Sequence, residues 1–180
     1  MNYEEYDTKM HRLFLQAFDL RCDKNSSVDE LHFADECIVE AIALCDEMEQ
    51  GLDDFNIQCE VENNRLRCFI ERLAIHSRLL KMFFDTPKFL NFAKTHERLC
   101  LRYLNHNPST TNNEIEQSIY QLRIMSYQSL STNYFRRSKV GDDKALRQQA
   151  IIYIDKAIEL SNGDENHAVL LQNKEQILLS

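Results

Sequence analysis

The stretch SSVDELHFADECIVEAIALCDEMEQG, residues 26–51, decides the fold class. Leu31, Ala34, Ile38, Ala41, Cys45 and Met48 recur at three- and four-residue spacing, the signature of one buried helix face. Ser26 or Ser27 supplies an N-cap hydroxyl, and Gly51 marks the stop. Opposite the apolar side, Asp29, Glu36, Glu40 and Glu47 fall at i, i+7, i+11 and i+18. On a helical wheel they form a single acidic stripe.

The stripe belongs to a larger pattern. Between Asn25 and Asn64 the chain carries twelve acidic side chains and no Lys or Arg, whereas Arg65 to Tyr103 carries nine basic and three acidic ones. These neighbours run at −12 and +6 in a chain whose total is −8. Such blocks write specificity into surface electrostatics rather than into a catalytic motif. Like charges at i, i+4 destabilise a helix by a few tenths of a kcal/mol, so an acidic helix with no internal base implies cations nearby, from the chain or from a partner. The chain's own candidates are Arg67, Arg78 and Lys81 on the third helix, and Lys94, Arg98 and Arg102 at i, i+4, i+8 on the outer face of the fourth. An antiparallel pairing of the second and third helices would match acid with base along their borders. The expectation is partial pairing, with the Lys94/Arg98/Arg102 row left free.

Three glycines and two prolines in 180 residues leave little material for tight turns, so the rest of the chain also reads as helix. A first helix covers Tyr3 to Cys22, with Asn2 as N-cap and Glu5 three residues on. A third runs from near Asp54 to Phe84, with a break expected around Asn63-Asn64 and a buried stripe of Leu66, Phe69, Ile70, Leu73, Leu80 and Phe84. Thr86 as cap and Pro87 at the first helical position open a fourth that reaches Asn105. Asn112 or Asn113 caps a fifth lasting to Lys139. Gly141-Asp142-Asp143 stops it and caps a sixth, Asp143 to Ser161, and Gly163-Asp164 does the same before a last helix from Glu165 to Leu179. The fold class is therefore all-α: about seven helices in stacked antiparallel hairpins, as an α-solenoid or an irregular bundle. Residues 1–180 make one domain, with lobes at 1–106 and 107–180 as the natural subdivision.

Two internal signals bear on the stacking. Asn63-Asn64 through Ser77 aligns without gaps on Asn112-Asn113 through Ser126, each copy opening a long helix, as in helical-hairpin repeats. The segment Ala150-Ile-Ile-Tyr153-Ile154-Asp-Lys156-Ala157-Ile158-Glu-Leu160, followed by Asn162-Gly163-Asp164, resembles the second helix and exit turn of a tetratricopeptide repeat over about thirty residues. The proline usual after that helix is absent, the preceding helix is too long, and the hairpin spacing is nearer fifty residues than thirty-four. The resemblance implies close helix packing at Ala150 and Ala157, a large apolar residue at Ile154, and a peptide-binding scaffold.

Tyr120, Tyr127 and Tyr134 recur every seven residues on the fifth helix, flanked by Arg123. Two readings stand: tyrosines packed on the neighbouring hairpin with hydroxyls at its rim, or an aromatic groove of the kind that dominates protein-binding hot spots. Metal chemistry has no basis here, because Cys37 and Cys45 share a helix's apolar side, no C-x-x-C or H-x-x-x-H pair exists, and Cys100 stands where His96-Glu97 would need a second His. No glycine-rich phosphate loop or nucleophile elbow occurs, and an enzyme and a cofactor are not expected. The pI near 5.3 opposes direct nucleic-acid binding. Met1-Asn-Tyr-Glu-Glu is no signal peptide, no apolar run approaches the ~20 residues of a membrane span, and the six cysteines are expected as free thiols in the reducing cytoplasm. The functional expectation is a non-enzymatic protein-binding scaffold or adaptor, with self-association as one outcome. The candidate contacts are Tyr120, Arg123, Tyr127, Tyr134, Lys94, Arg98, Arg102, Asp29, Glu36, Glu40 and Glu47. The alternative is an acidic regulator that occupies a nucleic-acid-binding protein in place of phosphates.

Overall fold

The structure, a computed structural model, describes residues 2–50, 52–161, 163 and 166–179. Among these residues there are seven α-helices and no strand: α1 (Tyr3–Cys22), α2 (Val28–Glu49), α3 (Phe55–Met82), α4 (Phe89–Leu104), α5 (Asn113–Gly141), α6 (Lys144–Leu160) and α7 (His167–Leu179). The all-α expectation holds.

Local chemistry sets most of the helix starts. Asn2 and Glu5 form a reciprocal capping box on α1, and Ser27 and Glu30 form another on α2, each satisfying two amides that the helix leaves over. Ser27, not Ser26, is the cap; Ser26 is buried and its hydroxyl donates to Leu20 O at 2.5 Å. Asp54 accepts from the amides of Asn56 and Ile57 ahead of α3, Asn112 from that of Ile115, and Asp143 from those of Ala145 and Leu146.

Two expectations are corrected. Helix α3 is unbroken at Asn63-Asn64, where the Asn63 side chain accepts sideways from Ser118 Oγ at 2.8 Å, so that copy of the internal alignment does not open a helix. Thr86 does not cap α4. Its hydroxyl and its amide both donate to Phe83 O at 2.8 Å, closing the end of α3, and α4 begins at Phe89 without a side-chain cap. Helix α5 stops at Gly141 and Asp143 caps α6, as expected; the left-handed residue between them is Asp142 (φ 49°), and Asp143 N–H reaches back to Ser138 O at 3.0 Å in a Schellman-type closure. Because a Cβ is strained at that angle, Asp142→Gly is expected to raise stability by about 0.5–1 kcal/mol, read as a higher Tm. The stop expected at Gly51 and the exit turn and cap expected at Asn162, Asp164 and Glu165 lie outside the described residues.

The chain divides into two compact units, each assembled from two stretches: Met1–Leu79 with Asn107–Ile119, and Leu80–His106 with Tyr120–Ser180. In the first unit, Tyr6 Oη lies 3.4 Å from Cys45 Sγ, and Lys9 Nζ lies 2.9 Å from Glu40, so α1 and α2 run antiparallel. Arg65 meets Asp46 and Glu49 while Arg72 meets Asp35, which makes α2 and α3 antiparallel as well. At 100° per residue, Leu66 and Leu73 point one way from α3 while Cys68, Ile75 and Leu79 point the other, and all five are fully buried. The helix is thus covered on both sides. The single stripe expected for it is only partly right, since Ile70 and Phe84 are half-buried.

In the second unit, Ile124, Ala150, Ile154, Ala157, Leu170 and Ile177 form the core between α5, α6 and α7. Ser131 Oγ donates to Ala150 O at 2.8 Å, and Asn133 Nδ2 donates to Ala93 O at 2.7 Å, tying α5 to α6 and to α4. Ala150, Ile154 and Ala157 are buried, a pattern common to any close-packed helical hairpin. All six cysteines are free thiols; Cys22 alone is exposed. Burial pushes the Cys45 thiol up to about 11 and raises those of Cys37, Cys68 and Cys100.

Candidate protein-binding surfaces

The acidic block sorts into an inner and an outer set on α2. On the inner side, Asp35 accepts from Arg72 Nε and Nη2 at 2.7 and 3.1 Å and meets His76 Nε2 at 3.1 Å. Asp46 and Glu49 meet Arg65 at 3.1 and 2.6 Å, and Arg65 also holds Glu62 one turn earlier on α3. The Arg65 side chain is 6% exposed and that of Glu62 is 3%. Burial works against the Arg65 charge, yet Glu62, Glu49 and Asp46 together keep its pKa above the ordinary value. A second buried acid on α3, Glu71, is held by Arg21 from α1.

The arginines that neutralise the block are therefore Arg65 and Arg72, not the expected stripe. Arg67 is exposed and sits 5.0 Å over the Phe14 ring. Arg78 donates to Arg21 O at 2.5 Å, with longer contacts to Leu20 O and Ser26 O, and so serves the carbonyls at the end of α1. Lys81 is exposed. A base on a helix buried from both sides must be matched inside the fold, and a stripe argument that assumes one solvated face passes over it.

On the outer side, Asp29, Glu36 and Glu47 are exposed, and no cation pairs with them among the described residues. Glu40 is exposed too and meets only Lys9, itself half-buried. Phe33 is 46% exposed and Val39 42%. Phe33 lies four residues after Asp29 and three before Glu36, so it shares the acidic stripe. That spacing is readable in the sequence.

The basic row of α4 belongs to the second unit. Lys94, Arg98 and Arg102 are exposed with no carboxylate partner among the described residues; Arg98 Nε reaches only Lys94 O at 3.4 Å. Leu90 and Leu101 lie exposed beside them. By contrast, Arg137 of the same unit is held by Glu97 at 2.6 Å.

The tyrosines are committed internally. Tyr120 donates to Leu160 O at 2.6 Å, and Tyr134 donates to Glu97. Burial, followed by the bond and charge of Glu97, pushes Tyr134 up to about 12. Tyr127 stacks on Tyr153 of α6 and Tyr134 meets it tilted, with ring centroids 6.2 and 5.5 Å away, and Lys156 Nζ lies over Tyr127 and Tyr153 at 5.6 and 5.5 Å. All three tyrosines are half-buried, and Arg123 is exposed beside them. The structure thus packs the tyrosines of α5 against α6 and leaves the charged rows outward.

His96 is fully buried, with Nε2 3.8 Å from Cys100 Sγ. Among the described residues, no group of three or more His, Cys, Asp or Glu is placed to hold a metal ion, and no helix is long and apolar enough to cross a membrane. No family model matches this chain, and neither a curated protein nor a solved structure shows significant similarity to it.

Proposed function

We propose that the protein is a non-enzymatic scaffold that holds another protein through charged helix faces. The observation that carries this reading is the sorting of α2: its inner acids are matched by arginines of α3, while Asp29, Glu36 and Glu47 stay outward with Phe33 and Val39 exposed among them. Glu36 and Glu40 stand one helical turn apart as like charges, a repulsion of a few tenths of a kcal/mol that a cationic partner removes. Phe33 offers an aromatic anchor inside a polar rim, the arrangement typical of interface hot spots. The partner that fits is a basic amphipathic segment, steered by charge and seated by apolar contact. The Lys94/Arg98/Arg102 row offers a second face, suited to carboxylates.

The test is affinity for a partner recovered from native lysate, measured at rising ionic strength and with a Glu36→Lys/Glu40→Lys variant. The variant is expected to weaken binding about tenfold or more, and salt to weaken the wild type steeply. Wild-type affinity in the variant together with indifference to salt would remove the α2 face from the account. If duplex DNA or RNA displaced the partner, the same face would instead act as a phosphate mimic on a nucleic-acid-binding protein.

A further inference from the structure

A cavity of about 850 Å³ opens in the second unit, between the α3–α4 connection and the last turns of α5. Its walls are largely apolar: Phe84, Phe89 and Leu90 on one side, Phe135 and Val140 on the other. Leu90 and Val140 are 49% and 54% exposed, so apolar surface is left open to water there. Phe84 and Phe89 meet edge to face at 5.2 Å, which fixes the first wall.

Arg136 is the group in this lining that the fold leaves unanswered. It makes no hydrogen bond or ion pair to the described residues, and its Nη1 is shut off from solvent without a partner. Burial lowers its pKa, and no carboxylate offsets that cost. The next residue, Arg137, is matched by Glu97, and the buried arginine of the other unit, Arg65, is matched three times over. A partly buried guanidinium with no anion is disfavoured, and an arriving carboxylate relieves it by a charge-assisted contact. Lys139 and Asp85 also line the cavity, Lys139 with its Nζ 5.1 Å over the Phe135 ring.

We infer that this cavity binds an anionic amphiphile: a carboxylate carried on an apolar body, with the body against Phe84, Phe89, Leu90, Phe135 and Val140 and the carboxylate received by Arg136. Pockets of this size with apolar walls and one directing polar group are typical small-molecule sites. A neutral lipid would leave Arg136 unanswered. The inference does not rest on the charged helix faces, and either can fail alone.

The test uses the full chain and three probes, octanoate, octanol and acetate, read by titration calorimetry and by Tm. Octanoate is expected to bind and to raise Tm, and the other two to bind at least about tenfold more weakly, since each lacks one half of the match. Arg136→Met should weaken octanoate at least about tenfold, leave octanol binding unchanged, and melt no lower than the wild type without ligand. Val140→Asp, at an exposed position outside the core, places a like charge in the cavity and should weaken octanoate to the same degree. Failure of octanoate to bind the wild type overturns the inference, as does equal octanoate affinity in the wild type and Arg136→Met. Should Arg136→Met fail to fold, undiminished octanoate affinity in Val140→Asp overturns it alone.

Discussion

Replacing Arg65 by methionine is expected to lower the free energy of unfolding by about 3–5 kcal/mol, measured by urea denaturation at neutral pH. Methionine keeps much of the apolar stem and removes only the guanidinium. That group holds Glu62, whose side chain is 3% exposed, together with Asp46 and Glu49, at 60% and 41%. The cost comes mostly from Glu62, a charge that loses its compensating cation inside the fold. The outer two carboxylates can be rehydrated. Adding Glu62→Gln to Arg65→Met should therefore recover a large part of the loss, and the double-mutant cycle should show a coupling of about 2 kcal/mol or more. A loss below about 1 kcal/mol would place this cluster among ordinary surface ion pairs.

Asp35→Asn is expected to cost about 2–3 kcal/mol at pH 7, with a pH dependence that identifies the cause. Burial opposes ionisation of Asp35, but hydrogen bonds from His76 and Arg72, and then their charges, outweigh it and bring the carboxyl down to about 2. In the unfolded chain it titrates near 4. The folded pKa is the lower one, so the stabilisation is fully present above about pH 5 and disappears as the pH falls towards about 2. Denaturation of both proteins along a pH series checks this. The gap between wild type and Asp35→Asn should hold steady above about pH 5 and narrow on acidification. A gap that does not change with pH would show that the loss is steric rather than ionic.

How much of this was legible in advance depends on how far apart in the chain the causes lie. Asn2 with Glu5, Ser27 with Glu30, and Asp143 with the amides after it act within three residues, and the helix starts they set were readable from composition and spacing. Thr86 failed for a local reason too: a hydroxyl near two helix ends can serve either, and it serves Phe83 behind it. The charge clusters were beyond reach, because Arg72 finds Asp35 across 37 residues and Arg21 finds Glu71 across 50. Periodicity can say that an arginine lies on a helix, but not that the helix is enclosed. The acidic block was visible as a whole, and only the packing of α2 on α3 could divide it into a neutralised half and an outward half.

The six thiols make the protein a natural reporter of its own opening. Cys22 alone faces water, whereas Cys37, Cys45, Cys68 and Cys100 are both enclosed and held in the unreactive protonated form. A maleimide or disulfide reagent meets one fast nucleophile in the native molecule. Every later modification then marks a moment when a particular helix has let solvent in, so the order of labelling ranks the helices by how readily each lets go.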